Sequence, residues 1–72
     1  MKNKINVNIN VMLDVIEKCG REEFTTYMFC VWYKDNYLHL PTQYIIAEKL
    51  NVSTKTAWRH VNKLIEQGFL SR

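Results

Sequence analysis

This 72-residue sequence predicts a mainly α domain of four helices with short β segments. Three observations lead there. Apolar residues recur at helical spacing in four stretches, residues suited to capping or stopping a helix sit at the ends of those stretches, and two brief runs alternate as strands do.

The first alternation is Lys4 to Val11, where Ile5, Val7, Ile9 and Val11 hold strict period two with Asn between them. This is a strand pattern, although Asn is a poor strand former. From Asn10 the period changes, and Met12, Val15, Ile16 and Cys19 recur at helical spacing. With Asn10 as cap and Gly20 as left-handed stop, a first helix is expected over about residues 11 to 19.

Glu22 and Glu23 suit the first turn of a second helix, where carboxylates meet the positive end of its dipole. Phe24, Tyr27, Met28 and Val31 then fall at i, i+3, i+4 and i+7, a single apolar stripe. The segment is also rich in β-branched and aromatic residues, which suits a buried strand. Length and the acidic start favour a helix, ended by Asp35-Asn36. Phe29, Trp32 and Tyr33 lie off the stripe, so they either face the first helix or form a homodimer patch. Tyr37 to Leu40 reads as a short strand with His39 turned to solvent.

Pro41-Thr42 opens a third helix with Thr42 as N-cap, and Ile45, Ile46, Ala47 and Leu50 form its buried face. Asn51 suits a left-handed stop, Val52 plugs the corner, and Ser53 caps a fourth helix starting at Thr54. Two helices joined by about three residues, with small Ala47 at their closest approach, meet the requirements of a helix-turn-helix. In the fourth helix Ala57, Val61 and Leu64 share one face, with Ile65 beside them. Lys55, Arg59, Asn62 and Lys63 take the opposite face, and Thr56 stands at its border. Gly68 ends the helix, and Phe69-Leu70 turns extended.

Composition excludes several classes. The most apolar uncharged run, Phe24 to Tyr33, is ten residues long, far short of the ~20 that cross a bilayer. No apolar secretory stretch opens the chain, so a cytoplasmic protein is expected. Cys19 and Cys30 lack the spacing of a redox or zinc pair, and with His39 and His60 they offer no paired ligand spacing, so no metal and no cofactor are expected. No nucleophile lies near a base in a motif, and the two glycines form no phosphate loop, which speaks against an enzyme. Net charge is +3. Residues 1 to 41 carry five basic and five acidic side chains, whereas residues 42 to 72 carry five basic and two acidic ones. A polyanion such as nucleic acid is expected to meet the C-terminal half; the alternative is that +3 merely keeps a small domain soluble.

Leu40 to Ala57 followed by Val61 to Leu70, with Ile46-Ala47, Leu50, Val52-Ser53, Thr56, Leu64, Gly68 and Leu70 at their spacings, resembles the winged helix-turn-helix of bacterial and phage transcription regulators and replication initiators. The resemblance spans about residues 37 to 72, and it implies one domain over 1 to 72, with 1 to 21 as an N-terminal extension and 22 to 72 as the core. It implies that Thr54, Lys55, Thr56, Trp58 and Arg59 enter the major groove and that Thr42 and Gln43 touch phosphate. Asn62 would read adenine if the helix inserts deeply, and Lys63 adds a cation to the same face. Helix N-termini also attract phosphate through their unpaired N–H groups. The family's wing follows Leu70 while this sequence ends at Arg72, so a truncated or absent wing is expected, with wing contacts confined to Arg72. Ile5, Val7 and Ile9 could fill the vacant place beside Phe69-Leu70, from the same chain or a second one.

Two readings stand for Trp58, edge packing or an exposed ring against DNA, and likewise for Tyr44, core edge or phosphate contact. His60 flanks the core and reads as a packing residue rather than a base reader. The expected function is sequence-specific binding of double-stranded DNA by a homodimeric transcriptional regulator of a bacterium, phage or plasmid, cytoplasmic and associated with the nucleoid, without a small-molecule effector or a membrane. The alternatives are a protein-interaction module using Phe29, Trp32 and Tyr33, or the DNA-binding part of a replication initiator or partition protein.

Overall fold

In the computed structural model, which describes residues 8–71, four helices follow one another: α1 (Ile9–Lys18), α2 (Arg21–Tyr37), α3 (Gln43–Leu50) and α4 (Thr54–Glu66). α3 and α4 pack on each other, α2 packs on both, and α1 lies against α2.

Local chemistry sets most of the boundaries. The Thr42 hydroxyl accepts the Ile45 amide at 3.3 Å and starts α3, and the Ser53 hydroxyl accepts the Thr56 amide at 3.0 Å and starts α4. Asn51 stops α3 in the left-handed region at φ 57°, and the Val52 amide then donates to the Ala47 carbonyl at 3.0 Å. α4 closes in a Schellman arrangement around Gly68 at φ 84°. There the Gly68 amide donates to Ile65 at 3.0 Å and the Phe69 amide to Leu64 at 2.9 Å.

Packing forms two joined clusters. Cys30, Ile46, Ala47, Ala57 and Val61 fill one, with Phe29, Leu40, Leu50, Val52 and Ile65 around it. Val15, Cys19, Tyr27 and Leu64 fill the other, ringed by Val11, Phe24, Met28, Val31 and Phe69. Leu70 touches both. Small Ala47 and Ala57 are both buried, so the backbones of α3 and α4 can approach closely. The expected α2 stripe therefore faces the second cluster. Thr26 and Cys30, off that stripe, are buried deeper still.

The expected β segments are absent among the described residues. Ile9 and Val11 belong to α1, because Asn8 rather than Asn10 is the cap, its side chain accepting the Asn10 amide at 2.7 Å. Val11 and Val15 are also four apart, so one set of residues satisfied both periods, and the capped helix prevails. Ile5 and Val7 of the expected strand, and Arg72, lie outside the described residues. The expected strand at Tyr37 to Leu40 is not formed: α2 runs on through Asp35-Asn36 to Tyr37 and closes with a left-handed cap at Leu38. The few residues left before α3 have no neighbouring strand to pair with. Phe69 to Ser71 run without strand pairing among the described residues.

Leu38 carries a testable cost. It holds φ 68° and ψ 15° while 86% exposed, and a left-handed β-carbon costs about 1–2 kcal/mol that no burial offsets. Leu38→Gly is expected to raise the melting temperature by about 4 °C after the added unfolded-state entropy of glycine is deducted. Thermal circular dichroism checks this; a lower melting temperature would show that the leucine side chain packs usefully.

Candidate nucleic-acid interface

α4 separates its side chains by chemistry. Ala57, His60, Val61 and Leu64 point inward, while Lys55, Arg59 and Lys63, at i, i+4 and i+8, are all exposed on the opposite side. The three cations form a stripe along the outer face, with Glu66 at its far end. At the other end the first N–H groups of α4 leave a partial positive charge, which adds to the field of Lys55.

α3 brings its own first turn to this face. Gln43, Thr54, Lys55 and Trp58 together line an open cleft of about 340 Å³, so residues from both helices of the pair meet in one place. Trp58 is 50% exposed and Tyr44 is 68% exposed, which favours the exposed reading for both over core packing. Thr42 is exposed at the start of α3, its hydroxyl engaged as the cap. Asn62 is half-buried on the same side of α4.

Thr56 is placed differently. Its hydroxyl accepts from Ser53 Oγ at 2.9 Å, and it lines a second cleft with Glu22, Thr26, Val52 and His60, toward α2. Cap geometry thus holds Thr56 apart from the Gln43 and Trp58 cleft. His60 is buried, as its position beside the core led one to expect, and its Nδ1 lies 2.9 Å from Thr26 Oγ1. That contact joins residues 34 apart, and no local pattern announces it.

Phe29, Trp32 and Tyr33 are each half-buried. They do not face α1: Phe29 packs on the cluster of α3 and α4. Trp32 stacks on it at 6.1 Å, Tyr33 tilts against it at 5.9 Å, and Tyr37 and His39 extend the group beyond Tyr33. A separate apolar line runs along α1, where Ile9, Leu13 and Ile16 are exposed.

The cysteines are free and buried. Burial pushes the Cys30 thiol from 9.0 up to about 12, and burial is also the main cause that raises Cys19 and the cause that raises Tyr27. A thiol held protonated is a poor nucleophile and metal ligand. Its folded value exceeds its unfolded one, so the native state binds more protons between the two. The contribution of Cys30 to stability is full below about pH 9 and falls by roughly 1.4 kcal/mol per pH unit from there toward pH 12. Denaturant titrations at pH 8 and pH 10.5 are expected to show a larger loss for the wild type than for Cys30→Ala; equal losses would contradict this origin.

No described helix is long and apolar enough to cross a membrane. Among known families, the helix-turn-helix domain matches residues 21–70, well over half of the chain. No curated protein and no solved structure matches it. The matched region runs from the first residue of α2 through α3, the three-residue turn and α4 to Leu70, and the chain belongs to the helix-turn-helix domain family, a fold suited to DNA binding.

Proposed function

We propose that this protein is a non-catalytic, sequence-specific double-stranded DNA-binding module that controls transcription in the cytoplasm of a bacterium or phage-infected cell. The observation that carries the reading is the outer face of α4. Lys55, Arg59 and Lys63 stand exposed there, beside a cleft that gathers Gln43, Thr54, Lys55 and Trp58. α4 enters the major groove with its N-terminal turns leading, Arg59 brackets guanine O6 and N7, and Trp58 lies against thymine methyl or sugar. Thr42, Gln43 and Lys63 meet phosphate. One such helix reads few base pairs, so two protomers act on an inverted repeat with half-sites about one helical turn apart. Phe29, Trp32 and Tyr33 are the surface offered for pairing.

A second reading uses the same fold for protein interaction, favoured by the half-exposed aromatic group of Phe29, Trp32, Tyr33 and Tyr37. Fluorescence anisotropy with random duplex DNA across a salt series separates the two. Neutralising roughly three to five phosphates per protomer gives a slope of log affinity on log salt of about −3 to −4.5. A flat response removes the DNA reading and leaves the interaction module.

A further inference from the structure

Along the inward face of α4, Ala57, Val61 and Leu64 are apolar and His60 is not. Only 7% of His60 is exposed, and an imidazole so placed is costly unless its nitrogens find partners. Its Nδ1 has one in Thr26 Oγ1 at 2.9 Å, on a residue that is itself only 1% exposed. The Thr26 hydroxyl also lies 3.3 Å from the Glu22 carbonyl. A carbonyl can only accept and a hydroxyl has one proton. Thr26 therefore donates to Glu22 and accepts from His60, so that both contacts are made when Nδ1 carries the proton. On its other side Nε2 lies 3.7 Å from the exposed Glu22 carboxylate, too far for a hydrogen bond, so the link to α2 runs through Nδ1 and Thr26.

This chain of polar contacts ties the middle of α4 to the first turn of α2. The apolar contacts around it are non-directional and tolerate a small rotation of α4 about its axis. A hydrogen bond between two buried side chains does not, because its distance and angle windows are narrow. Rotating a helix by about 10° moves a side-chain tip some 5 Å from the axis by about 1 Å, enough to spoil a bidentate contact. Arg59 is the neighbour of His60 in the chain and sits in the same turn as the anchor.

We propose that Thr26 and His60 are positioning residues for base discrimination: through their buried hydrogen bond α2 sets the rotation of the recognition helix, and with it the aim of Arg59. This rests on the DNA-binding reading above. It assigns the pair to specificity rather than to affinity, since neither residue lies on the outer face of α4 that meets phosphate.

The test compares affinity for the best duplex selected from a random pool by the wild type with affinity for random duplex, for wild type, Thr26→Val, His60→Leu and His60→Asn. Each variant is first melted, and binding is measured well below its melting temperature. Should a single variant melt too low to assay, the paired Thr26→Val/His60→Leu variant, which leaves neither polar group unpaired, replaces it. In Thr26→Val and His60→Leu the ratio of specific to random affinity is expected to fall about 5- to 20-fold, with random-duplex affinity changed by less than about twofold. His60→Asn places an amide donor near the position of Nδ1 and is expected to keep the ratio within about threefold of wild type. An unchanged ratio in Thr26→Val and His60→Leu, or parallel loss of both affinities, would overturn the positioning role and leave DNA binding intact. Absence of duplex binding by the wild type would overturn the DNA reading itself, and this proposal with it.

Discussion

Leu64→Ala is expected to leave most of the protein unfolded at 37 °C. Leu64 has no exposed surface and packs with Val15 of α1, Cys19 at its C-cap and Tyr27 of α2. Its carbonyl also receives the Phe69 amide at 2.9 Å, and Phe69 in turn meets Tyr27 edge to face at 6.2 Å. Truncation removes the contact that joins three helices and opens a cavity beneath the closing turn of α4. Such changes cost about 2.7–5 kcal/mol, whereas a core in a domain of this size rarely supplies more than about 3–5 kcal/mol. The loss is comparable to the whole. Leu64→Met, which nearly conserves volume, is expected to cost less than about 1.5 kcal/mol. Far-UV circular dichroism against temperature separates the two. A shift of only a few degrees for Leu64→Ala would mean that the cluster collapses into the space.

Arg59→Ala is expected to weaken binding to the selected duplex by about 5- to 150-fold, the loss of one bidentate base contact worth about 1–3 kcal/mol. Random duplex should lose much less. Arg59 is exposed on the outer face of α4, between Lys55 and Lys63 in the basic stripe, and its planar fork has a geometry that neither lysine can offer. Lys63→Ala is the contrasting case. It should weaken all duplexes alike and make the salt slope shallower by about 0.9, one phosphate contact fewer. Anisotropy titrations of both variants on both duplexes at two or more salt concentrations check the pair. If Arg59→Ala lowered both duplexes equally, Arg59 would be a phosphate contact and the base-reading role would pass to another residue of the face.

Much of this protein could be read in the linear chain because the chemistry involved is local. Thr42, Asn51 and Ser53 act on backbone groups within a few residues of themselves, so the starts of α3 and α4 and the turn between them fall where the capping residues place them. The buried line of Ala57, Val61 and Leu64 and the basic line of Lys55, Arg59 and Lys63 follow from helical periodicity alone. Elsewhere the local signals were compatible with two structures. Ile9 and Val11 satisfy a strand period and belong to a helix, because Val11 and Val15 find a shared apolar cluster against α2 and α4. Tyr37 continues α2 past Asp35-Asn36, where its ring lies 4.5 Å from that of Tyr33, and a lone strand would have had no partner for its amides. The exposure of Trp58 and Tyr44 and the meeting of Gln43 with Trp58 depend on how α3 is set against α4. The bond between Thr26 and His60 spans 34 residues. It exists only once α2 and α4 are packed, since a buried hydroxyl and an imidazole become partners by being brought out of water together.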